Sequence, residues 1–161
     1  MLSPRKEGLN LDTNLIEYPR PPEIITKIHS GKLVMVDSGR RNGLILIEGY
    51  HAEFAGSGAA VGSAFDVDCQ QLIAVGDFCL VEPKSPQERQ KAYGIRRHWV
   101  RLTEQLTATN VPLVRSQMLL TQLEQYFNSE TVAQLPDWAL ALLVGVFPQT
   151  IRRARVHSFD L

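Results

Sequence analysis

The sequence predicts an α+β fold in two parts, a small N-terminal β-barrel-like domain followed by an all-α C-terminal domain. Short apolar and β-branched segments separated by turn residues fill residues 24–83, which is typical of a small barrel. Apolar residues recur at spacings of three and four after residue 95, as they do along helices. The polar, basic stretch between these regions has no apolar periodicity. We therefore predict four segments: a flexible arm (1–22), the barrel-like domain (23–83), a basic linker (84–94) and the helical domain (95–161).

The composition is that of a globular protein. Of the 161 residues, 44% are hydrophobic and 21% are charged, and the formal net charge is zero. No apolar run is long enough to span a membrane, and the first residues lack the apolar core of a signal peptide, so we expect a cytoplasmic protein without membrane contact. Cys69 and Cys79 do not form a C-x-x-C motif. We expect two buried thiols, with neither a disulfide framework nor a zinc site.

The strands are predicted from short apolar runs and from alternation. Five segments qualify: KLVMVD (32–37), LILIE (44–48), YHAEF (50–54), AFDVD (64–68) and FCLVEP (78–83). Between the first two, SGRRNG (38–43) contains Asn-Gly, the signal of a tight hairpin turn. GSGAAVGS (56–63) is predicted as a loop because of its glycine content. It lacks the apolar strand and the long helix that a dinucleotide-binding loop requires on its two sides.

Two longer helices are predicted over 95–106 and 112–127. In the second, five residues form an apolar stripe: Leu119, Leu120, Leu123, Tyr126 and Phe127. Such a stripe packs against another surface, and we take it as a candidate dimer seam. In the first, Trp99 beside Val100 is predicted to be a core residue.

The last residues have the pattern of two short helices that cross at a glycine. Asp137 can cap the first helix, and Gly145 follows Ala141 by four residues, where a left-handed turn is needed. Pro148 suits the first turn of the second helix. Ile151 and Ala154 are expected to face inward.

This segment, LALLVGVFPQTIRRAR (140–155), resembles the helix-turn-helix of bacterial transcription regulators of the cyclic-AMP-receptor or sigma-factor type. The resemblance covers about twenty residues. It implies that helix 148–156 enters the DNA major groove, where Gln149 and either Arg152 or Arg153 reach base edges. Phe147 stands where the family has a capping Ser or Thr. The expected DNA-binding residues are Gln149, Thr150, Arg152, Arg153 and Arg155.

A basic segment precedes these helices. Residues 84–101 contain six Lys or Arg residues and one Glu, so the segment is either a solvated connector or a surface that touches phosphates. In the second case Arg96, Arg97 and Arg101 are auxiliary phosphate contacts.

A polar cluster is possible at the strands. His51, Glu53, Asp66 and Asp68 can converge as a metal or general-base site if two strands pair, or can lie separately on exposed strand faces. The second reading is the prediction, so we expect no enzyme activity, no metal and no cofactor.

The function predicted from the sequence is sequence-specific binding of double-stranded DNA by a homodimeric transcription regulator. A homodimer is expected because one recognition helix contacts too few bases for useful specificity. Two alternatives stay open. One is an RNA-binding accessory protein that uses the barrel and the basic segment, in which Tyr93 and Trp99 interleave with the arginines. The other is a non-catalytic protein-interaction module.

Overall fold

A computed structural model of the protein describes residues 21–157. Its helices are α1 (Pro21–His29), α2 (Pro86–Thr107), α3 (Pro112–Tyr126), α4 (Ser129–Ala133), α5 (Asp137–Val144) and α6 (Pro148–His157). Its strands are β1 (Leu33–Val36), β2 (Asn42–Glu48), β3 (His51–Gly56), β4 (Ala60–Gly62), β5 (Gln71–Gly76) and β6 (Leu80–Val81), with one 3-10 turn (Ala64–Asp66). The α+β class is confirmed. The arm predicted over 1–22 lies outside the described residues except for Pro21 and Pro22, where α1 begins.

The strands form two open, three-stranded antiparallel sheets rather than a closed barrel. In the first sheet β1 lies between β4 and β6, with Met35 opposite Ala60 on one side and Val81 on the other. In the second sheet β2 lies between β3 and β5. Because β1 and β2 belong to different sheets, the hairpin predicted between them does not exist.

Packing explains why Asn42 and Gly43 lie within a strand instead of a turn. The Asn42 side chain is fully buried. It donates to the carbonyl oxygen of Asp37 at 2.9 Å and accepts from the amide of Cys79 at 3.0 Å. A Cβ at Gly43 would collide with the Phe54 ring. Asn42 therefore serves hydrogen bonding and Gly43 serves packing. The preference of Asn-Gly for hairpin turns does not take such contacts into account.

Other local predictions were wrong in the same region. The segment predicted as a loop (56–63) contains β4, and the segment predicted as a strand (64–68) contains the 3-10 turn. Strand β5 (71–76) and helix α1 were not predicted. Of 78–83 only Leu80 and Val81 form a strand.

The second sheet is covered on both faces, which accounts for the continuous apolar run in β2. Ile45 and Ile47 pack into a core shared with α3, α4, α5 and α6. Leu44 and Leu46 face the first sheet and Ile24 of α1. The second sheet therefore lies between two cores, and it joins the helical region on one face to the first sheet and α1 on the other.

Residues 84–94, predicted as a linker, are mostly helix. Ser85 caps α2 by accepting a hydrogen bond from the amide of Glu88 at 3.1 Å, and Pro86 occupies the first turn. Both are helix-start signals. Ala92 packs on the first sheet, whereas Leu106 joins the helical core. One helix thus connects the two predicted parts by packing against both.

Two further expectations concern the membrane and the thiols. No helix among residues 21–157 has both the length and the apolarity needed to cross a bilayer. Cys69 is buried and Cys79 is half-buried, and both are free thiols. Burial raises the pKa of the Cys69 thiol.

Candidate nucleic-acid interface

Helices α5 and α6 are joined by a tight turn at Gly145. This residue has φ 66° and ψ 46°, in the left-handed region, and the amide of Val146 donates to the carbonyl oxygen of Ala141 at 3.1 Å. Pro148 begins α6. Ile151 and Ala154 are completely buried. The predicted turn, helix start and inward-facing pair are confirmed.

Two arginines fix this helix pair to its surroundings. Arg115 of α3 donates to the carbonyl oxygens of Val144 and Gly145 at 2.8 and 3.2 Å, which satisfies the end of α5. Arg155 of α6 donates to Asp137 Oδ1 at 2.8 Å. Arg115 was not predicted from the sequence to have a role here. Its only signal is that it is the one basic residue of α3.

Arg155 was predicted to contact DNA, but the structure turns it inward. Besides Asp137, it donates to the carbonyl oxygens of Val132 and Leu135 at 3.1 and 2.6 Å. Its side chain is only 23% exposed. Asp137, predicted as the cap of α5, is instead its first residue, after the N-cap Pro136, and binds Arg155.

Three of the predicted DNA-binding residues, Gln149, Arg152 and Arg153, share the outer face of α6. All three are exposed, whereas Thr150 is half-buried. The Arg152 side chain is 67% exposed, and its Nε lies 3.7 Å from Asp137 Oδ2. At 3.7 Å and this exposure, the pairing is weak. Phe147, in the turn before α6, is also exposed.

Arg96, predicted as a phosphate contact, is buried. It donates to Asp66 Oδ2 and Oδ1 at 2.9 and 3.0 Å and to Glu53 Oε1 at 2.7 Å. A fourth hydrogen bond reaches the carbonyl oxygen of Ala60 at 3.0 Å. Burial alone would lower the pKa of Arg96, but the hydrogen bonds and charge of Asp66 and Glu53 raise it. Arg96 is therefore a structural ion-pair centre, while Arg97 and Arg101 are exposed.

Two of the four residues considered as a polar cluster at the strands come together around Arg96. Glu53 and Asp66 converge on Arg96, whereas His51 and Asp68 are exposed. Within the described part of the chain, no three His, Cys, Asp or Glu side chains are grouped as metal ligands. Burial, followed by the charge of Glu53, raises the pKa of the neighbouring Glu48.

Trp99 packs against the core, as predicted. Its ring centroid lies 5.0 Å from that of Phe54 and 4.8 Å from that of Tyr126, both edge to face. Tyr93 packs against Phe65, with centroids 5.6 Å apart. The aromatic residues of α2 are therefore engaged within the chain instead of being spaced along an open single-strand platform.

The apolar stripe proposed as a dimer seam is internal. Leu119, Leu120, Leu123 and Phe127 are between 2% and 5% exposed. They pack with α5 and α6 in the shared core. A seam made of these residues is excluded because its side chains are already covered by the same chain.

Comparisons of the chain with protein-family models, with curated proteins and with solved structures gave no match. What the surface of α6 binds is therefore inferred from its own geometry.

Proposed function

We propose that the protein binds double-stranded DNA in a sequence-specific manner, as a homodimeric transcription regulator that inserts α6 into the major groove. The observation that carries the proposal is the division of α6 into two faces. Ile151 and Ala154 lock the inner face into the core, while Gln149, Arg152 and Arg153 leave the outer face open to a ligand. A recognition helix needs this combination of rigidity and exposed polar side chains.

The exposed side chains suit a base edge. Arg forms paired hydrogen bonds with guanine, and Gln does so with adenine. The exposed Phe147, in the turn before α6, suits contact with a thymine methyl group. Arg153 makes no ion pair among the described residues, and Arg152 has only the long contact to Asp137. Both guanidinium groups therefore remain available to bases or phosphates.

Because the net charge of the chain is zero, its affinity for DNA has to come from basic side chains close to the binding surface. We expect Arg97 and Arg101, exposed on α2, to add phosphate contacts. Because each phosphate contact releases counterions, binding should weaken steeply with salt. Removing two contacts should lower the salt slope by about two and the affinity by at least about tenfold.

The test is fluorescence-anisotropy binding of random duplex and random single-stranded DNA at two salt concentrations. The variant Arg152→Ala/Arg153→Ala is compared with wild type and with Arg89→Ala/Lys91→Ala, which removes the same charge from exposed positions of α2. Loss of duplex binding only in the α6 variant supports the proposal. A preference for single strands that survives in this variant, or no binding by wild type at low salt, would refute it.

A further inference from the structure

A cavity of about 250 Å³ is lined by residues of α2, β2, β3 and the 3-10 turn. Four charged and two aromatic side chains form most of its wall: Glu48, Glu53, Arg96, Arg97, Phe65 and Tyr93. The volume is below the range of about 300–1,000 Å³ that is usual for drug-sized ligands. The cavity therefore suits a small molecule that has both charged and apolar groups.

Two of the charged side chains in this wall have no ion pair. Arg96 and Glu53 bind each other, whereas Glu48 and Arg97 make no ion pair among the described residues. The raised pKa of Glu48, caused first by burial, is expected of a carboxylate that lacks a cation partner. One negative and one positive group thus line the same cavity without neutralising each other.

Arg96 adds a hydrogen-bond donor that has no acceptor. The residue is 6% exposed, and its two terminal nitrogens donate four hydrogen bonds. Its Nε has no hydrogen-bond partner among the described residues. The Phe65 ring lies over this guanidinium, 5.0 Å from Cζ to the ring centroid. Because Phe65 is 42% exposed, its ring can move aside and let a ligand oxygen accept from Nε.

The charges of the cavity favour a ligand that carries both signs. An anion would bind Arg97 but would also face Glu48, and a cation would bind Glu48 but would also face Arg97. Like charges at such distances repel each other. A molecule with an ammonium group and a carboxylate group on the same carbon satisfies both side chains. Its third substituent would lie against the aromatic part of the wall.

We propose that this cavity binds a free α-amino acid with an aromatic side chain. The ammonium group binds Glu48, and the carboxylate accepts from Arg97 and from Nε of Arg96. The aromatic side chain packs against Phe65 and Tyr93, whose ring centroids are 5.6 Å apart. This site is additional to the proposed DNA-binding surface, since α6 contributes nothing to it. Because Arg97 is also an expected phosphate contact, the bound amino acid should compete with DNA at that residue.

The test is isothermal titration calorimetry of the full chain without DNA, using three probes that share a phenyl ring. L-Phenylalanine carries both charges, phenethylamine carries only the positive one, and 3-phenylpropanoate carries only the negative one. L-Phenylalanine should bind at least about tenfold more tightly than either analogue, because each analogue lacks one set of charge-assisted hydrogen bonds.

Two substitutions assign the binding to this cavity. Glu48→Gln and Arg97→Gln should each weaken the binding of L-phenylalanine by at least about tenfold. Glu104→Gln and Arg101→Gln make the same changes at exposed positions of α2 outside the cavity and should leave binding unchanged. Circular dichroism checks that each variant is folded. Arg97→Gln, at an exposed position, keeps the test decisive if Glu48→Gln does not fold.

Three results would overturn the proposal. The first is that wild type does not bind L-phenylalanine at millimolar concentration. The second is that phenethylamine or 3-phenylpropanoate binds as tightly as L-phenylalanine, which would remove the need for both charges. The third is that a folded Glu48→Gln or Arg97→Gln variant binds L-phenylalanine as tightly as wild type does.

Discussion

At the scale of single residues, Arg96 has the largest structural role among the basic side chains of α2. Its guanidinium connects α2 to Glu53 in the second sheet, to Ala60 in the first, and to Asp66 in the 3-10 turn. Asp66 is fully buried and also accepts from the amide of Gly62 at 2.7 Å. Removing the arginine would leave this carboxylate buried without a compensating charge.

We therefore predict that Arg96→Met lowers the free energy of unfolding by about 3–5 kcal/mol, the usual cost of breaking a buried ion pair on one side. Urea denaturation monitored by circular dichroism measures this change in the free energy of unfolding. The matched control is Arg97→Met, at an exposed position, which should change stability by less than about 0.5 kcal/mol. Equal effects of the two substitutions would contradict the prediction, and adding Asp66→Asn to Arg96→Met should restore part of the loss.

The same residue marks a limit of sequence reasoning. Arg96 and Arg97 are adjacent and chemically identical, and the charge of the segment predicted both as phosphate contacts. Only the tertiary structure, which brings Asp66 and Glu53 to one of them, separates their roles. By contrast, Ile151 and Ala154 were predicted correctly because helical periodicity alone decides which side of α6 they occupy.

At the scale of elements, two glycines in the helical region have opposite backbone conformations, one helical and one left-handed. Gly94 lies within α2, and a Cβ there would have no atom within 4 Å. Gly145 ends α5 with φ +66°, and the nearest atom to its Cβ would be Arg115 Nη1 at 3.8 Å. Neither position is crowded, so backbone conformation decides what an alanine does at each.

We predict that Gly94→Ala raises the free energy of unfolding by about 0.5–1 kcal/mol, because alanine favours the helix more than glycine does. Gly145→Ala should lower it by about 1–2 kcal/mol, because an L-residue is strained in the left-handed conformation. Urea denaturation of the two variants beside wild type measures both. Each variant is the other's control, and effects of the same sign would show that the turn or the helix is not formed as described.

Elements were predicted well where a local rule decides, and poorly where packing decides. The turn at Gly145 and the helix over 112–126 follow from glycine conformation and apolar spacing. The strand position of Gly43 follows from the Phe54 ring, which lies eleven residues away along the chain. The sequence pattern of a turn covers only neighbouring residues and does not include that contact. The pairing of the strands also depends on residues far apart in the sequence, so it was not predicted.

At the scale of the whole molecule, the second sheet and Trp99 hold the two predicted parts together. The sheet contributes Ile45 to the core shared with the helices and Leu44 to the core shared with the first sheet. Trp99 packs against both cores. The boundary predicted at 84–94 is crossed by a continuous helix. Neither part can therefore lose its packing without exposing apolar surface of the other.

We predict that the chain unfolds in one cooperative transition. In Trp138→Phe, a substitution at a partly exposed position, Trp99 becomes the only tryptophan, and its fluorescence reports the junction between the two cores. Urea unfolding followed by this fluorescence and by far-UV circular dichroism should give the same midpoint. Wild type, followed by circular dichroism, controls for the substitution. Two separated transitions would contradict the prediction, because they would mean that the sheets and the C-terminal helices unfold as independent units despite their common core.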